Sequence, residues 1–301
     1  MAFSQSPVNY AVQYSQELAN AYPYLSYFSA IFNSKNASKY KVINGKSVAI
    51  PSLKVSGAKA TNRDSIDGVF TRAWNNQWQV KELSMDREWS TLIDPLDMVE
   101  TNEVATIANV TRTFNEQEKV PEQDAYVAST LATAAIANGK ADTTALTSAN
   151  VLDKWDDYLA ALTNARIPHD RAVCYVSPAT YKLLKQAAGI TRFIEITNGI
   201  RNVDRNVGKL DGIVIVEVPE DMMKTAYDFT EGWEVDDGAG QINMLFVDVE
   251  AIVAPIVYDV SMISAPTAQS KGKYLYYERY FYDVFILNER KAGVFVNYTA
   301  A

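Results

Sequence analysis

Residues 101–140, TNEVATIANVTRTFNEQEKVPEQDAYVASTLATAAIANGK, form the longest stretch of the chain that its sequence allows to be helical. Apolar residues recur with a period of about 3.6 on both sides of Pro121, and Asn138-Gly139 ends the pattern. At about 100° per residue, the apolar stripes before and after Pro121 lie on roughly opposite faces. Proline lacks a backbone N–H and disrupts an α-helix. The pattern therefore predicts either two ordinary helices joined by a loop or one long spine helix. Its two halves either face different neighbours or are separated by a kink or break at Pro121.

The composition bounds the class of protein. The chain has 301 residues, 48% of them hydrophobic, which is enough for one large domain or two ordinary ones. With 28 Lys and Arg against 36 Asp and Glu, the net charge of −8 argues against a nucleic-acid binder, because affinity for phosphates comes from basic residues. The single cysteine, Cys174, excludes an intrachain disulfide and a multi-cysteine metal site. The sequence has no apolar run of about 18 residues, so we expect no membrane partner.

The first 43 residues mix polar and aromatic side chains and contain few aliphatic ones. Such a segment cannot form a core of its own, and we interpret it as an N-terminal arm. The arm either packs back on its own body or lies on a neighbouring subunit, since exposed aromatic surface usually marks an interface.

Residues 44–95 predict an extended β-hairpin loop. Strand-like runs flank the turn signals Gly57 and Asp67-Gly68, and three of the five tryptophans of the chain lie here. A two-stranded hairpin is marginally stable alone in water, so it needs a surface to lie on. That surface is either the body of its own subunit or another subunit.

The rest of the chain has an α/β pattern followed by an aromatic segment. Residues 141–266 alternate helical and strand-like stretches, with buried strands predicted at 172–177 and 213–218 and a further strand at 251–260. Residues 274–298 are rich in aromatic side chains and predict a β-hairpin, the sheet on which the spine helix could pack.

Candidate catalytic groups are few. The sequence has no phosphate-binding loop, and the nearby His169 and Cys174 are a weak nucleophile pair because Cys174 lies in a predicted buried strand. Four carboxylates near Pro121 could do acid–base chemistry, but a charged helical surface explains them better: Glu116, Glu118, Glu122 and Asp124. We therefore predict no enzyme activity, no catalytic residue, no cofactor and no metal site.

Three segments, in this order and spacing, resemble the tailed-bacteriophage major capsid protein family. The first is DREWSTLIDPLDMVETN at 86–102, followed by Val-Pro-Glu-Gln-Asp-Ala-Tyr at 120–126. The second is AVCYVSPATYKLL at 172–184, followed by GKLDGIVIVEVP at 208–219. The third is YFYDVFILN at 280–288, followed by Gly-Val-Phe-Val at 293–296.

The resemblance implies an α+β tailed-phage major capsid fold, with a long spine helix on a peripheral β-sheet, an α/β axial domain and an extended β-hairpin loop. It divides the chain into an N-terminal arm (1–43), an extended loop (44–95), a peripheral domain (96–140 plus 267–301) and an axial domain (141–266). The aromatic residues of the arm and hairpin would anchor contacts between subunits. The candidate interface residues are Tyr10, Tyr14, Tyr22, Tyr24, Arg63, Phe70, Trp74, Trp78 and Trp89.

The resemblance also implies a mechanical function. Such a subunit assembles with itself as hexamers and pentamers into the icosahedral head that encloses double-stranded DNA. Its other partners would be scaffolding, portal and decoration proteins, and it would contact the packaged DNA only weakly and without specificity. The protein would be made in the host cytoplasm and located in the virion.

Two alternatives stay open at this point. A cellular nanocompartment shell protein would have the same fold but enclose enzymes. An α/β hydrolase or transferase would use residues 141–266 as its catalytic domain, although no nucleophile, base and orienting group can be identified there.

Overall fold

The structure is a computed structural model and describes residues 26–36, 38–58, 74–96, 107–187, 193–197, 200–204 and 208–300. Six of the predicted interface residues lie outside these ranges: Tyr10, Tyr14, Tyr22, Tyr24, Arg63 and Phe70.

The described residues include five α-helices: α1 (Ser29–Phe32), α2 (Ile107–Phe114), α3 (Val120–Ala137), α4 (Val151–Asn164) and α5 (Pro178–Gln186). A π-helical turn, Asn115–Lys119, joins α2 to α3, so residues 107–137 form one continuous spine helix. Short 3₁₀ helices lie at His169–Arg171, Glu220–Met222, Val249–Ala251 and Asn288–Gly293.

The described strands form one six-stranded sheet, two three-stranded sheets and three two-stranded ones. They are β1 (Lys41–Asn44), β2 (Ser47–Val55), β3 (Trp74–Glu82), β4 (Met85–Ile93), β5 (Ala141–Asp142), β6 (Ala172–Val176), β7 (Phe193–Thr197), β8 (Ile200–Asp204), β9 (Lys209–Leu210), β10 (Ile213–Glu217), β11 (Tyr227–Asp228), β12 (Glu234–Val235), β13 (Gln241–Asp248), β14 (Ile252–Val253), β15 (Ile256–Ser264), β16 (Tyr274–Tyr282), β17 (Phe285–Ile286) and β18 (Val294–Thr299). A six-stranded sheet has the order β5-β18-β13-β6-β10-β9, and two three-stranded sheets have the orders β15-β16-β4 and β1-β2-β3. The pairs β6–β10 and β5–β18 are parallel, whereas the other pairs of these three sheets are antiparallel. This mixture agrees with the predicted α+β class.

The spine helix continues through Pro121, and its irregularity lies in the turn before the proline. The Val120 N–H donates to the carbonyl of Asn115, five residues earlier, which is the hydrogen bond of a π turn. In a regular α-helix the proline ring would clash with the carbonyl four residues before it, here that of Gln117. The wider turn accommodates this carbonyl, so of the two alternatives left by the sequence, a bend or a break at Pro121, the break does not occur.

The first half of the spine helix packs on the three-stranded sheet β15-β16-β4. Ile107 and Val110 lie against Tyr276 of β16 and Trp89 of β4. The ring of Phe114 stacks on Trp89 with centroids 4.0 Å apart. This contact confirms that the first half of the helix lies on a sheet that includes β16.

The second half of the spine helix packs on the six-stranded sheet. Val127 and Leu131 of α3 are fully buried in a core that contains Tyr175, Leu245 and Val296 from three adjacent strands. The π turn adds one residue to the helical repeat and so changes the phase of the side chains that follow it. The prediction that the two halves face different neighbours is confirmed.

Helices α4 and α5 cover the other face of the six-stranded sheet. Their side chains Trp155 and Leu184 are buried in a second core together with Cys174 and Phe246. All five residues of β6 are buried, as the apolar run at 172–177 predicts for a strand covered on both faces. Cys174 therefore has a structural place in this core.

The aromatic segment 274–298 does not form the predicted hairpin. Strand β16 pairs with β15 and β4, whereas β18 pairs with β13 in the six-stranded sheet. The predicted strand at 251–260 is also two strands, β14 and β15, separated by Ala254-Pro255. Because β15 pairs with β16, strand pairing crosses the predicted domain boundary at 266/267.

Neighbouring positions on β10 allow a test of the core. We expect Ile213→Val to lower the free energy of unfolding by about 1 kcal/mol, because Ile213 is fully buried and loses one methylene. The matched control is Val214→Thr on the opposite, exposed face, which should change stability by less than about 0.5 kcal/mol. Urea unfolding measures both, and equal losses would contradict this orientation of β10.

Candidate assembly surface

The hairpin of β2 and β3 is regular along its whole described length. The strands pair antiparallel from Ser47 opposite Glu82 to Val55 opposite Trp74, with no shift in register. Nine residues at about 3.4 Å each give a ribbon roughly 30 Å long. This geometry confirms the predicted extended hairpin.

One face of this hairpin is apolar and exposed. Residues directly opposite each other in an antiparallel pair share a face, and so does every second residue along a strand. By this rule five large apolar side chains lie on one face, with exposed fractions from 49% to 74%: Leu53, Val55, Trp74, Trp78 and Val80. We name these five residues the hairpin face. A cluster of exposed large apolar side chains often marks a protein–protein interface.

The opposite face of the hairpin is fastened to the body of its own subunit. Val48 and Ile50 are buried there. The Ser52 hydroxyl donates to a Glu289 carboxylate oxygen at 2.6 Å, and the Asn288 amide donates to the Gln79 side chain at 2.7 Å. The hairpin thus covers its own body with one face, which is one of the two alternatives left by the sequence, and the hairpin face stays exposed on the other side.

Two of the predicted interface tryptophans belong to the hairpin face and one does not. Trp74 and Trp78 are on it, whereas Trp89 lies in β4, half-buried between Phe114 and Tyr276. Trp89 thus packs within the subunit, and its predicted interface role stays a prediction. The sequence could not separate them, because the pairing of β4 with β16 depends on residues almost 190 positions later.

Buried ion pairs connect the spine helix to the three-stranded sheet β15-β16-β4. An Arg87 nitrogen on β4 lies 2.8 Å from a Glu122 carboxylate oxygen on α3, and the Tyr282 hydroxyl donates to the other oxygen at 3.3 Å. Lys119 forms a second buried pair with Glu278 of β16. We name these four charged residues the ionic junction.

Arg87 also holds a loop in place. Its guanidinium donates to the backbone carbonyls of Phe229 and Gly232, in addition to the Glu122 carboxylate. One side chain thus joins β4, the spine helix and the segment between β11 and β12. Loss of this side chain would leave a buried carboxylate and two carbonyls without these donors.

The interpretation of the carboxylates near Pro121 as a charged surface is wrong for two of them. Glu122 and Asp124 are both buried, and each has partners far away in the sequence. Burial raises the pKa of Glu122 above its ordinary value, against the opposing effect of the hydrogen bond from Arg87. The burial of Asp124 was not predictable locally, because its donors are Ser26 and Tyr27.

The candidate nucleophile pair consists of Cys174, which is buried, and His169, which lies beside a threonine hydroxyl. Burial raises the pKa of the Cys174 thiol well above its ordinary value, which disfavours the reactive thiolate. His169 shares a hydrogen bond with the Thr163 hydroxyl at 3.1 Å. Among the residues described, no three His, Cys, Asp or Glu side chains are grouped so that they could hold a metal ion. No helix in the described ranges is long and apolar enough to cross a membrane.

Comparison with solved structures identifies the fold. No protein-family model and no curated protein sequence matches the chain. The mature capsid of bacteriophage PhiM1 is similar at a TM-score of 0.60 and 12% identity, over 84% of this chain and 82% of that chain. A structure from Gordonia phage Cozz is similar at 0.56 and 14%, over 87% and 84%, and the capsid of Cyanophage P-SCSP1u at 0.53 and 15%, over 86% and 85%. The predicted tailed-phage major capsid fold is confirmed.

Proposed function

We propose that this chain is the major capsid protein of a tailed phage, which assembles with itself as hexamers and pentamers into an icosahedral shell around double-stranded DNA. The observation that carries the proposal is the similarity to phage capsid structures over more than four-fifths of the chain. A protein of this function acts through its contacts with other copies, without catalysis and without a cofactor.

The hairpin face supplies the surface that such contacts need. Obligate interfaces bury roughly 2,000 Å² or more and are rich in aromatic side chains. Trp74 and Trp78 present large side chains on a ribbon whose other face is already fixed to the subunit. A preorganised surface loses less conformational entropy on binding, so the fixed hairpin favours association.

The division into arm, extended loop, peripheral domain and axial domain forms part of this proposal. The arm would add tyrosine contacts between subunits, and the shell would also meet scaffolding, portal and decoration proteins. A net charge of −8 favours only weak, non-specific contact with the enclosed DNA. The assembled protein would be located in the virion after its synthesis in the host cytoplasm.

Electron microscopy of the purified protein tests the proposal. We expect closed shells or capsomers with dimensions of tens of nanometres, and light scattering should give masses of many subunits. A stable monomer that forms no larger particle across a range of salt and protein concentrations would contradict the proposal. Particles isolated from their natural source should contain double-stranded DNA; an enzyme in its place would indicate a nanocompartment shell.

A further inference from the structure

Residues 26–36 pack against both the spine helix and the six-stranded sheet, and we name these residues the arm anchor. Its side chains Phe28 and Ile31 are fully buried in the core between α3 and that sheet. The Phe28 ring stacks on Tyr175 of β6 with centroids 4.2 Å apart. Helix α1 also lies against β14 and the turn Val249–Ala251. The arm anchor is thus packed into the body of the subunit.

The polar contact that holds the arm anchor to the spine helix is Asp124. One carboxylate oxygen accepts a hydrogen bond from the Ser26 hydroxyl at 2.6 Å, and the other accepts one from the Tyr27 N–H at 2.8 Å. The backbone N–H of Phe28 also stabilises the ionised form of this carboxylate. Every hydrogen-bond donor that the described residues offer to Asp124 therefore comes from the arm anchor.

Asp124 differs in this respect from Glu122, which lies two residues earlier on the same helix. Glu122 has Arg87 as a cationic partner, whereas none of the ion pairs among the described residues includes Asp124. Asp124 is nevertheless 0% exposed. Burial of a carboxyl group without a cationic partner raises the free energy of its ionised form strongly.

The other titratable group that faces Asp124 is the Tyr175 phenol on β6. This hydroxyl is buried and has no hydrogen-bond partner among the residues that the structure describes. Burial raises the pKa of Tyr175, and the nearby Asp124 charge raises it further, so the phenol is neutral at any pH near 7. Neither the arm anchor nor β6 thus brings a positive charge to Asp124 among the residues described.

We propose that Asp124 is a protonation-dependent latch, which holds the arm anchor more tightly when its carboxyl group is protonated than when it is ionised. When the arm anchor leaves, the carboxylate becomes exposed to water and regains its solvation. The latch acts within one subunit and does not depend on shell assembly, so it goes beyond the proposed function.

The direction of the pH effect follows from the pKa of Asp124. Burial raises this pKa from 3.8 to about 6, against the hydrogen bonds from Ser26, Tyr27 and Phe28. An acid whose pKa is higher in the docked state binds more protons there, so docking weakens as the pH rises through about 6. From pH 5.5 to 8.0 the docking equilibrium should fall about fourfold and then stay constant.

Hydrogen exchange of the purified, unassembled full chain tests this latch. Exchange times are scaled to the intrinsic amide exchange rate at each pH. The lower pH of 5.5 is above the pI of about 4.9, so the protein keeps a net negative charge at both pH values. We expect the amides of α1 to be protected about fourfold more at pH 5.5 than at pH 8.0. The amides of β6 are the internal reference, and their protection should not follow this curve.

Two substitutions separate the latch from a general effect of pH. Asp124→Asn cannot ionise, so the protection ratio of α1 should fall to about one. Asp283→Asn is the matched control, because Asp283 is also a buried aspartate but accepts from Ser84 and Tyr126 instead of the arm anchor. This control should keep the fourfold ratio.

A third variant makes the test independent of whether Asp124→Asn folds. Ser26→Ala removes one donor from the ionised carboxylate, so the pKa of Asp124 should rise further and the protection ratio of α1 should exceed fourfold. A ratio of one in the unmodified protein would overturn the proposal. So would an unchanged fourfold ratio in Asp124→Asn, or the same pH dependence in β6 as in α1.

Discussion

Arg87→Met should lower the free energy of unfolding of the subunit by about 3–5 kcal/mol. The substitution leaves the Glu122 carboxylate buried without its cation and removes the donor to the carbonyls of Phe229 and Gly232. A single unpaired charge inside a protein costs far more than the pair itself contributes. Urea unfolding followed by circular dichroism measures the loss.

The matched control for Arg87 is Arg279, which lies on the adjacent strand of the same sheet. Its guanidinium is bound to Asp86 at 2.7 Å, but both side chains of this pair are more than one-third exposed. Arg279→Met should therefore destabilise the subunit much less than Arg87→Met does. If the two arginine variants lose similar stability, the burial of the ionic junction has no energetic consequence and this account of it is wrong.

A double substitution separates the unpaired charge from the other contacts of Arg87. Arg87→Met with Glu122→Met removes both charges, so it should recover part of the stability that Arg87→Met loses. Recovery should be incomplete, because the carbonyls of Phe229 and Gly232 still lack their donor. A double variant no more stable than Arg87→Met would show that the charge on Glu122 is not the cause.

Deletion of residues 57–74 should abolish closed shells and leave a folded, soluble subunit. Lys54 pairs with Asn75, so the deletion leaves positions 55 and 56 as a two-residue connection between paired strands. Val55→Asn and Ser56→Gly give this connection the residues that such turns favour. The body contacts made by Ser52 and Gln79 are retained, while Trp74 and Val55 of the hairpin face are lost. Electron microscopy and circular dichroism measure assembly and folding.

Point variants test the hairpin face itself, without shortening the chain. Leu53→Ser and Trp78→Ser together remove two exposed apolar anchors, each worth about 2 kcal/mol or more per contact if it is central to an interface. Gln77→Ser is the matched control, since Gln77 precedes Trp78 but lies on the opposite face. Normal shells from the double variant, or loss of shells in the control alone, would contradict the role of this face.

Several elements were predictable from the sequence because they depend on neighbouring residues. The apolar period around 101–140 predicts the spine helix, and the short apolar runs at 172–177 and 213–218 predict β6 and β10. The resemblance of three segments to capsid proteins supplied the fold as a whole. Among the candidate interface residues, Trp74 and Trp78 are exposed, and their interface role stays a prediction.

The sequence by itself thus determined elements such as the spine helix, β6 and β10, since side-chain periodicity is a local property. Only the tertiary structure decided which strands pair and which charges are buried. Strand β18 joins β13 instead of β16, and Glu122 finds Arg87 across the fold. Asp124 is buried by Ser26, which lies 98 residues earlier. The free energies of pairing and burial depend on residues far apart in the chain, and a local pattern contains no information about them.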